Sequence, residues 1–486
     1  MRARREKQQE LFSFVEIEKL VPKNHLLRLI DRYVDFSFIH ELVDSVYSNV
    51  TGRPAWNPEL ILRYILIGYL YNMSERRLHD EVAMHAAYRW FLGLTFSDLI
   101  PDRTTVIKLR KEKWADVEAF DSIFQRIVQQ CVNLGMVKGR HLTVDGTQII
   151  ANASIKSLEP IEIPYTPKEY LDTFRDSGDA SPETEKPKGP PESHQSAPPA
   201  QQTQVEPTPQ NVVPLTSIEQ RTPAHPIKRE AAHSQDKDFH GEHLSNQTHR
   251  SRTDSDARLY RKAKGKEAKL SNIGGYLADS KSRVILATSA GIPGIHSESD
   301  MAVQMLDSLK NNGILPATVI LAADAHYGNT DFLCELDTRS ITPHIPLLFG
   351  ASPEKAPVWK KRTFCIKQQL QRTVKTREIR VRNHAREAVQ TTGYKVSQKL
   401  RKRSEHLFAE AKGCHGLGRA RGRGLTSLKQ QINLTASAQN IKRIVSFCSR
   451  SDRIKVASCL SCAKYTLIHA FFRFFQLFYF SPLLAE

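Results

Sequence analysis

Two aspartates stand where short apolar runs give way to polar residues. The first, Asp145, follows Leu142 and Val144 in the stretch His141-Leu142-Thr143-Val144-Asp145-Gly146-Thr147-Gln148-Ile149-Ile150, whose alternation predicts a strand with one buried face. The second, Asp324, closes Thr318-Val319-Ile320-Leu321-Ala322-Ala323 and precedes Ala325-His326-Tyr327-Gly328. Asp-Gly by itself is the commonest tight-hairpin signal, and a lone example would be read that way. Two strand-end carboxylates outside a packed core point instead to a shared metal site, because hard divalent cations take oxygen ligands. A site holding a pair of cations about 3.5–4 Å apart usually needs one more acid.

That acid is sought on a helix after the last strand, and residues 393–412 supply one. At about 100° per residue, Val396, Leu400, Leu407 and Ala411 share one face, while Arg401, Glu405 and Lys412 fall within about 40° of each other on the opposite one. Glu410 points elsewhere, so Glu405 is the candidate.

The elements that must position these residues alternate in type. Residues 10–115 read as helical: Asn57-Pro58 and Ser74-Glu75-Arg76-Arg77 open helices, and Leu60, Ile61, Tyr64, Ile65, Gly68 and Tyr69 recur at helical spacing. Strands are predicted near 141–150, 273–277, 283–288, 318–324 and 341–348. Ser297-x-x-Asp300 caps a helix that ends at Asn312-Gly313, and a short helix lies around 332–336. Between the first strand and the rest, eleven of the 25 prolines crowd between Pro182 and Pro226, and no aromatic residue occurs from Arg175 to Asp238. Such a segment cannot bury enough apolar surface to offset its ordering entropy and reads as a disordered insertion. The order is α/β with a mixed sheet, that of a ribonuclease-H-like core.

Composition narrows the partners. Lys and Arg number 70 against 52 Asp and Glu, a net charge of +18, which points to a polyanion. Lys399 to Lys429 holds nine Lys or Arg against two Glu and is rich in glycine, which reads as a mobile basic loop; any one of these cations is as easily a solvated helix face. Seven scattered cysteines fit a reduced cytosolic chain, and Cys459-x-x-Cys462 has no second pair to complete a zinc site. No apolar run and cleavage site follow the charged start, so secretion is not expected. The Phe-rich stretch Leu467–Leu484 is interrupted by His469, Arg473, Gln476 and Pro482 and is expected to be a packed tail rather than a membrane span.

On these motifs the chain resembles bacterial insertion-sequence DDE transposases. Arg401-x3-Glu405-x6-Lys412 matches the latter part of their Tyr-x2-Arg-x3-Glu-x6-Lys signature, and Val144-Asp145-Gly146-Thr147 and Ala323-Asp324-Ala325-His326-Tyr327 are similar to their first two acidic motifs. So are Ser74–Leu94, Pro101–Thr105 and Asp256–Lys262, and the likeness runs from about Phe12 to Arg443 apart from the insertion. One departure is plain: the signature's Tyr falls on Gln398, with Tyr394 one turn earlier.

The resemblance implies a helical N-terminal DNA-binding domain (1–130), a ribonuclease-H-like catalytic core in two parts (135–155 and 256–445) split by the insertion (156–255), and an atypical hydrophobic tail (446–486). It implies Asp145, Asp324 and Glu405 as catalytic residues and ligands of two divalent cations, Mg²⁺ or Mn²⁺. Arg401, Lys412, Arg419, Arg421 and Arg423 become DNA contacts. The implied substrate is double-stranded DNA, both the element's terminal inverted repeats and the target, handled by a homodimer near the nucleoid in the cytoplasm, with no membrane partner. Two other readings stay open: an inactive or domesticated DNA-binding descendant, and a ribonuclease-H-like structure-selective nuclease.

Overall fold

The computed structural model of the protein describes residues 16–47, 55–161, 244–261, 265–348, 352–355 and 366–479, with side chains over 369–452 in the last of these. The charged start of the chain, most of the Pro-rich insertion (162–243) and the final residues lie outside the described residues. Pro160–Thr248 forms a unit of its own; the main sheet and its helices belong to the other, Met1–Glu159 with His249–Glu486.

The chain opens with helices α1 (Ile17–Leu20), α2 (Leu26–Tyr33), α3 (Ile39–Val43), α4 (Pro58–Leu70), α5 (Glu75–Met84), α6 (Ala86–Leu92), α7 (Arg103–Lys108), α8 (Trp114–Asp116) and α9 (Ala119–Asn133). Their starts are chemically marked. Asn57 accepts from the Glu59 N–H at 2.8 Å with Pro58 at the first helical position, Ser74 accepts from Arg77, and Asp102 from Thr104. α4 is apolar nearly all round and is accordingly buried from Ile61 to Leu70 except at Arg63.

The sheet is built from β1 (His141–Ile150), β4 (Arg258–Tyr260), β5 (Lys269–Asp279), β6 (Ile285–Gly291), β7 (Val319–Ala322) and β8 (Ile341–His344), while short β2 (Leu158–Pro160) and β3 (His249–Ser251) border the insertion. β4 and β6 both pair with β5, and the order then runs β5-β1-β7-β8. β5 is antiparallel to both β6 and β1, whereas β1, β7 and β8 are parallel, giving a mixed α/β sheet of the ribonuclease-H-like type. β8 tolerates Pro343 because it is an edge strand. Both faces are covered, not one as the alternation of β1 predicts. A Cβ at Gly274 would meet Ile149 and Ile432, whereas one at Gly275 would meet Met301 and Met305.

Met301 and Met305 belong to α10 (Glu298–Asn311), capped by Ser297 on Asp300 N–H and closed at Gly313, as the spacing predicts. α11 (Thr330–Thr338), α12 (Ile366–Gln390), α13 (Thr392–His415) and α14 (Leu425–Tyr479) complete the fold. The last strand stops at His344, four residues before the predicted end. The edges of the insertion are built rather than loose: Ser157 is hydrogen-bonded to Ser251 at 2.8 Å, and Ser251 and Asp254 are buried.

α14 is the spine between sheet and helical lobe. Its buried Asn440 accepts from Ile285 N–H (2.9 Å) and donates to Ile285 C=O (2.7 Å), so an amide completes the outer edge of β6 as a neighbouring strand would. Asn440→Leu is expected to leave two buried backbone groups unpaired and to lower unfolding stability by about 2–3 kcal/mol in urea titration. No loss would show that β6 needs no partner there. Among the described residues no helix is long and apolar enough to cross a membrane.

Candidate catalytic site

The parallel pairing of β1 with β7 ends at Thr143 and Ala322, which are partners in register. Two residues beyond each comes an aspartate, Asp145 on one strand and Asp324 on the other. Both therefore lie just past the carboxyl end of the parallel β1–β7 pairing, the position where open α/β sheets leave a crevice. Asp145 is not at a strand end, and Asp145-Gly146 is no turn. β1 runs on to Ile150 because Asp145 and Gly146 keep pairing with Tyr276 and Gly275 of β5.

Asp145 is half-buried, accepting from Gly146 N–H at 2.9 Å and from the Ser404 hydroxyl at 3.3 Å. Burial, reinforced by the nearby charge of Asp324, pushes its carboxyl up to about 6, against the opposing pull of the Gly146 N–H, Arg401 and Ser404. Asp324 caps the turn Ala325–Tyr327 through His326 N–H (2.9 Å) and lies 3.5 Å from the exposed His326 ring. A third acid, which the sequence did not single out, is Glu298 at the first position of α10. Burial, then the charge of Asp324, raises its carboxyl as well.

α13 lays one stripe along β1. Ser397 is hydrogen-bonded to His141 (2.6 Å) and His344 (2.5 Å), tying the helix to β1 and β8 at once. Gln398 donates to His344 C=O (2.7 Å) and accepts from Arg401 Nε (3.1 Å). Ser404 meets Asp145, Phe408 stacks on Tyr276 with centroids 4.5 Å apart, and Lys412 donates to Gln148 C=O at 3.0 Å. Glu405 is exposed, one residue beyond Ser404, whereas Glu410 is held in a separate ion cluster with Arg443.

The structure thus brings Asp145 and Asp324 within electrostatic reach of each other and sets Glu405 on the helix beside them. Among the described residues no three His, Cys, Asp or Glu are grouped closely enough to hold a metal ion. The chemistry of the donors still fits a hard divalent cation: all are carboxylate oxygens, and Asp145 is a desolvated carboxylate next to another, an arrangement that a cation relieves.

The basic residues part company. Arg419 and Arg423 are not buried. Arg421 is turned inward instead of toward solvent. It donates to Met73 C=O (3.2 Å) and His415 C=O (3.3 Å) and lies over the Tyr69 ring at 4.3 Å, bracing the core against the helical lobe. Nor is this segment a free loop: Leu417 and Ala420 are buried, and Gly418 and Ala420 extend the hydrogen bonding of Ile150.

A mixed sheet that presents two acids just past the parallel pairing of its central strands, with a basic helix alongside, is the architecture of a ribonuclease-H-like core. Residues 15–112 match the family described as Transposase domain (DUF772), and residues 247–441 match the Transposase DDE domain. The chain belongs to the insertion-sequence DDE transposases, enzymes that act on DNA and depend on divalent metal. No solved structure matches it. Asp324, Arg401, Glu405 and Lys412 fall inside the second matched segment; Asp145 precedes it, and the pairing of β1 with β5 and β7 ties it in.

Gln398, where the signature has Tyr, is engaged at both ends of its amide. Gln398→Ala is expected to release Arg401 and cut the rate of DNA cleavage about 10- to 100-fold, with unfolding little changed. Wild-type rates in that variant would show that the Gln398–Arg401 contact has no functional part.

Proposed function

We propose that the protein cleaves DNA at the ends of an insertion sequence and joins the freed 3′-hydroxyls to target DNA. The observation that carries this is the twin placement of Asp145 and Asp324, each two residues past the Thr143–Ala322 pair, with α13 docked beside them. In the first reaction water attacks a phosphodiester at the element's end: a new P–O bond forms, the bond to the 3′-oxygen breaks, and that oxygen leaves as the 3′-hydroxyl. In the second, this hydroxyl attacks a target phosphodiester, one ester replacing another. Two Mg²⁺ or Mn²⁺ ions, when bound, would supply charge neutralisation and a lowered pKa for the attacking oxygen.

Within this reading Asp145, Asp324 and Glu405 would hold the cations. Arg401, half-buried and held by Gln398, points its charge at the Asp145 end of the cleft, where it orients a phosphate. Lys412 anchors β1 through Gln148 and lines the same groove as Lys266 and Lys269. Arg419 and Arg423, both open to solvent, add backbone grip that weakens with salt. The helical lobe reads the inverted repeats, and two copies pair the two ends.

Purified protein with Mn²⁺ and a labelled element end tests this. Nicking is expected from the wild type, with Glu405→Gln slowed at least about 10²-fold, the loss seen when a preorganised electrostatic group is removed. Nicking undiminished by Glu405→Gln would remove that residue from the site. Gln398 favours a second reading, a descendant that binds DNA without cutting it, and tight end binding with no nicking under any divalent metal would establish that instead.

A further inference from the structure

We propose that Glu298 is a positioning residue of this centre, whose carboxylate braces the strand carrying Asp145 against the loop carrying Asp324. The inference rests on the transposase reading. Its first support is steric. A Cβ built at Gly146, the residue after Asp145, would lie 2.9 Å from both Cδ and Oε2 of Glu298, closer than real Cβ contacts occur. Any side chain at the glycine of the first acidic motif would therefore displace the Glu298 carboxylate from its place against β1.

The second support is at the other end of the brace. Tyr327, three residues after Asp324, is 2 % exposed, and its buried hydroxyl lies near enough to the Glu298 carboxylate to interact with it electrostatically. The next residue of α10, Ser299, accepts from Asn329 Nδ2 at 2.9 Å, while Asn329 Oδ1 caps α11 at Phe332 N–H (2.7 Å). On its far side the loop has no slack: a Cβ at Gly328 would lie 2.7 Å from Pro346 C=O. The first turn of α10 therefore approaches β1 at the residue after one acid and the β7–α11 loop three to five residues after the other. It is thus placed to set the spacing between them from that face of the sheet. Asp145 faces the α13 side, paired with Tyr276, whereas Gly146 faces α10, so the two contacts do not compete.

Calorimetric titration of the metal-free full-length protein with Mn²⁺ alone, alongside nicking of a labelled end, tests the inference. Glu298→Ala and Tyr327→Phe are each expected to weaken Mn²⁺ binding and slow nicking about tenfold or more, the usual effect of losing a group that orients ligands. The double variant should be no worse than either single one, since both break the same contact. Glu298→Gln, which keeps an acceptor for Tyr327, should restore both readouts to within about threefold of wild type. Gly146→Ala, which leaves every charge in place but displaces the brace, should resemble Glu298→Ala. Glu298→Gln as defective as Glu298→Ala would overturn positioning in favour of a direct ligand, and wild-type behaviour of Glu298→Ala and Gly146→Ala would overturn any role. Asp145→Ala separates the two levels. If it abolishes Mn²⁺ binding while Glu298→Ala leaves binding and nicking at wild-type values, only the brace fails; if wild type binds no Mn²⁺, the catalytic reading fails and the brace with it.

Discussion

Asp145→Asn is expected to suppress DNA cleavage at least about 10²–10³-fold while raising the thermal stability of the metal-free protein at neutral pH. Asparagine keeps one oxygen to accept from Gly146 N–H, and its Nδ2 can donate to the Ser404 oxygen while the Ser404 hydroxyl donates to Arg401 C=O, so the local hydrogen bonding survives and only the charge is lost. That charge is unfavourable in the metal-free fold. Burial first, and then Asp324, lift the carboxyl from 3.8 to about 6, so the folded state holds its proton more tightly than the unfolded chain does. Folding is therefore unpenalised below about pH 4, loses stability between about 4 and 6, and carries the full penalty, roughly 3 kcal/mol, above that. The gain from Asp145→Asn should follow this window: present at pH 7.5 in chelator, gone near pH 4. Added Mg²⁺ should stabilise the wild type by mass action and leave the variant unmoved. Thermal scans at the two pH values, with and without Mg²⁺, together with the nicking assay, decide it. A variant that is less stable at pH 7.5, or that still nicks within a few-fold of wild type, contradicts the placement of Asp145 at a cation site.

What could be read from the sequence was whatever local chemistry decides. Asn57-Pro58, Ser74 and Ser297 mark helix starts because a side-chain oxygen satisfies an N–H two or three residues away, and these caps are where the spacing puts them. The alternating acids and strands gave the core in the right order for the same reason. Asp145-Gly146 was ambiguous because the dipeptide's own preference is a turn; pairing with Tyr276 and Gly275, about 130 residues later in the chain, overrides it. Glu298 carried no signal, since the capping box around it says where a helix begins and nothing of which strand its first carboxylate meets. Arg421 misled in the opposite sense. Arginine among glycines reads as an exposed cation, but its destination is set by Tyr69 and the carbonyls of the α4–α5 turn, far away in sequence. The helical spacing separates an exposed Glu405 from Glu410, which is tied up with Arg443.

Glu410→Ala is expected to be the most destabilising single change in the core, at about 3–5 kcal/mol, while leaving every acid of the cleft in place. Glu410 sits between α13 and α14 with Arg443 at 2.9 Å, Gln439 Nε2 at 3.1 Å, and His415 and Lys442 at 3.6 and 3.9 Å. Its own burial opposes ionisation, yet His415, Arg443 and Gln439 together outweigh that and bring the carboxyl down to about 2. Removing it strands the largely buried Arg443 without a counter-charge, and this, not the lost attraction, makes the effect large. His415 spreads the damage, because its Nδ1 donates to Tyr69 C=O (2.7 Å) and so links the cluster to α4 of the helical lobe. The pH dependence has the opposite sign to that of Asp145. A carboxyl depressed from 4.5 to about 2 stabilises the fold fully above about pH 4.5 and progressively less as pH falls toward 2, so the wild type should lose roughly 3 kcal/mol from this group over that window. Glu410→Ala should lack that part of the acid response, and Glu410→Gln, which retains an acceptor for Gln439 and Arg443 but no charge, should fall between the two. Urea unfolding at pH 7.5 and pH 3.5 measures both differences. A Glu410→Ala protein within about 1 kcal/mol of wild type at pH 7.5 would mean that water or a rearranged Arg443 supplies what the carboxylate does, and the sheet and helical lobe would then have to be joined chiefly by the apolar contacts of α14.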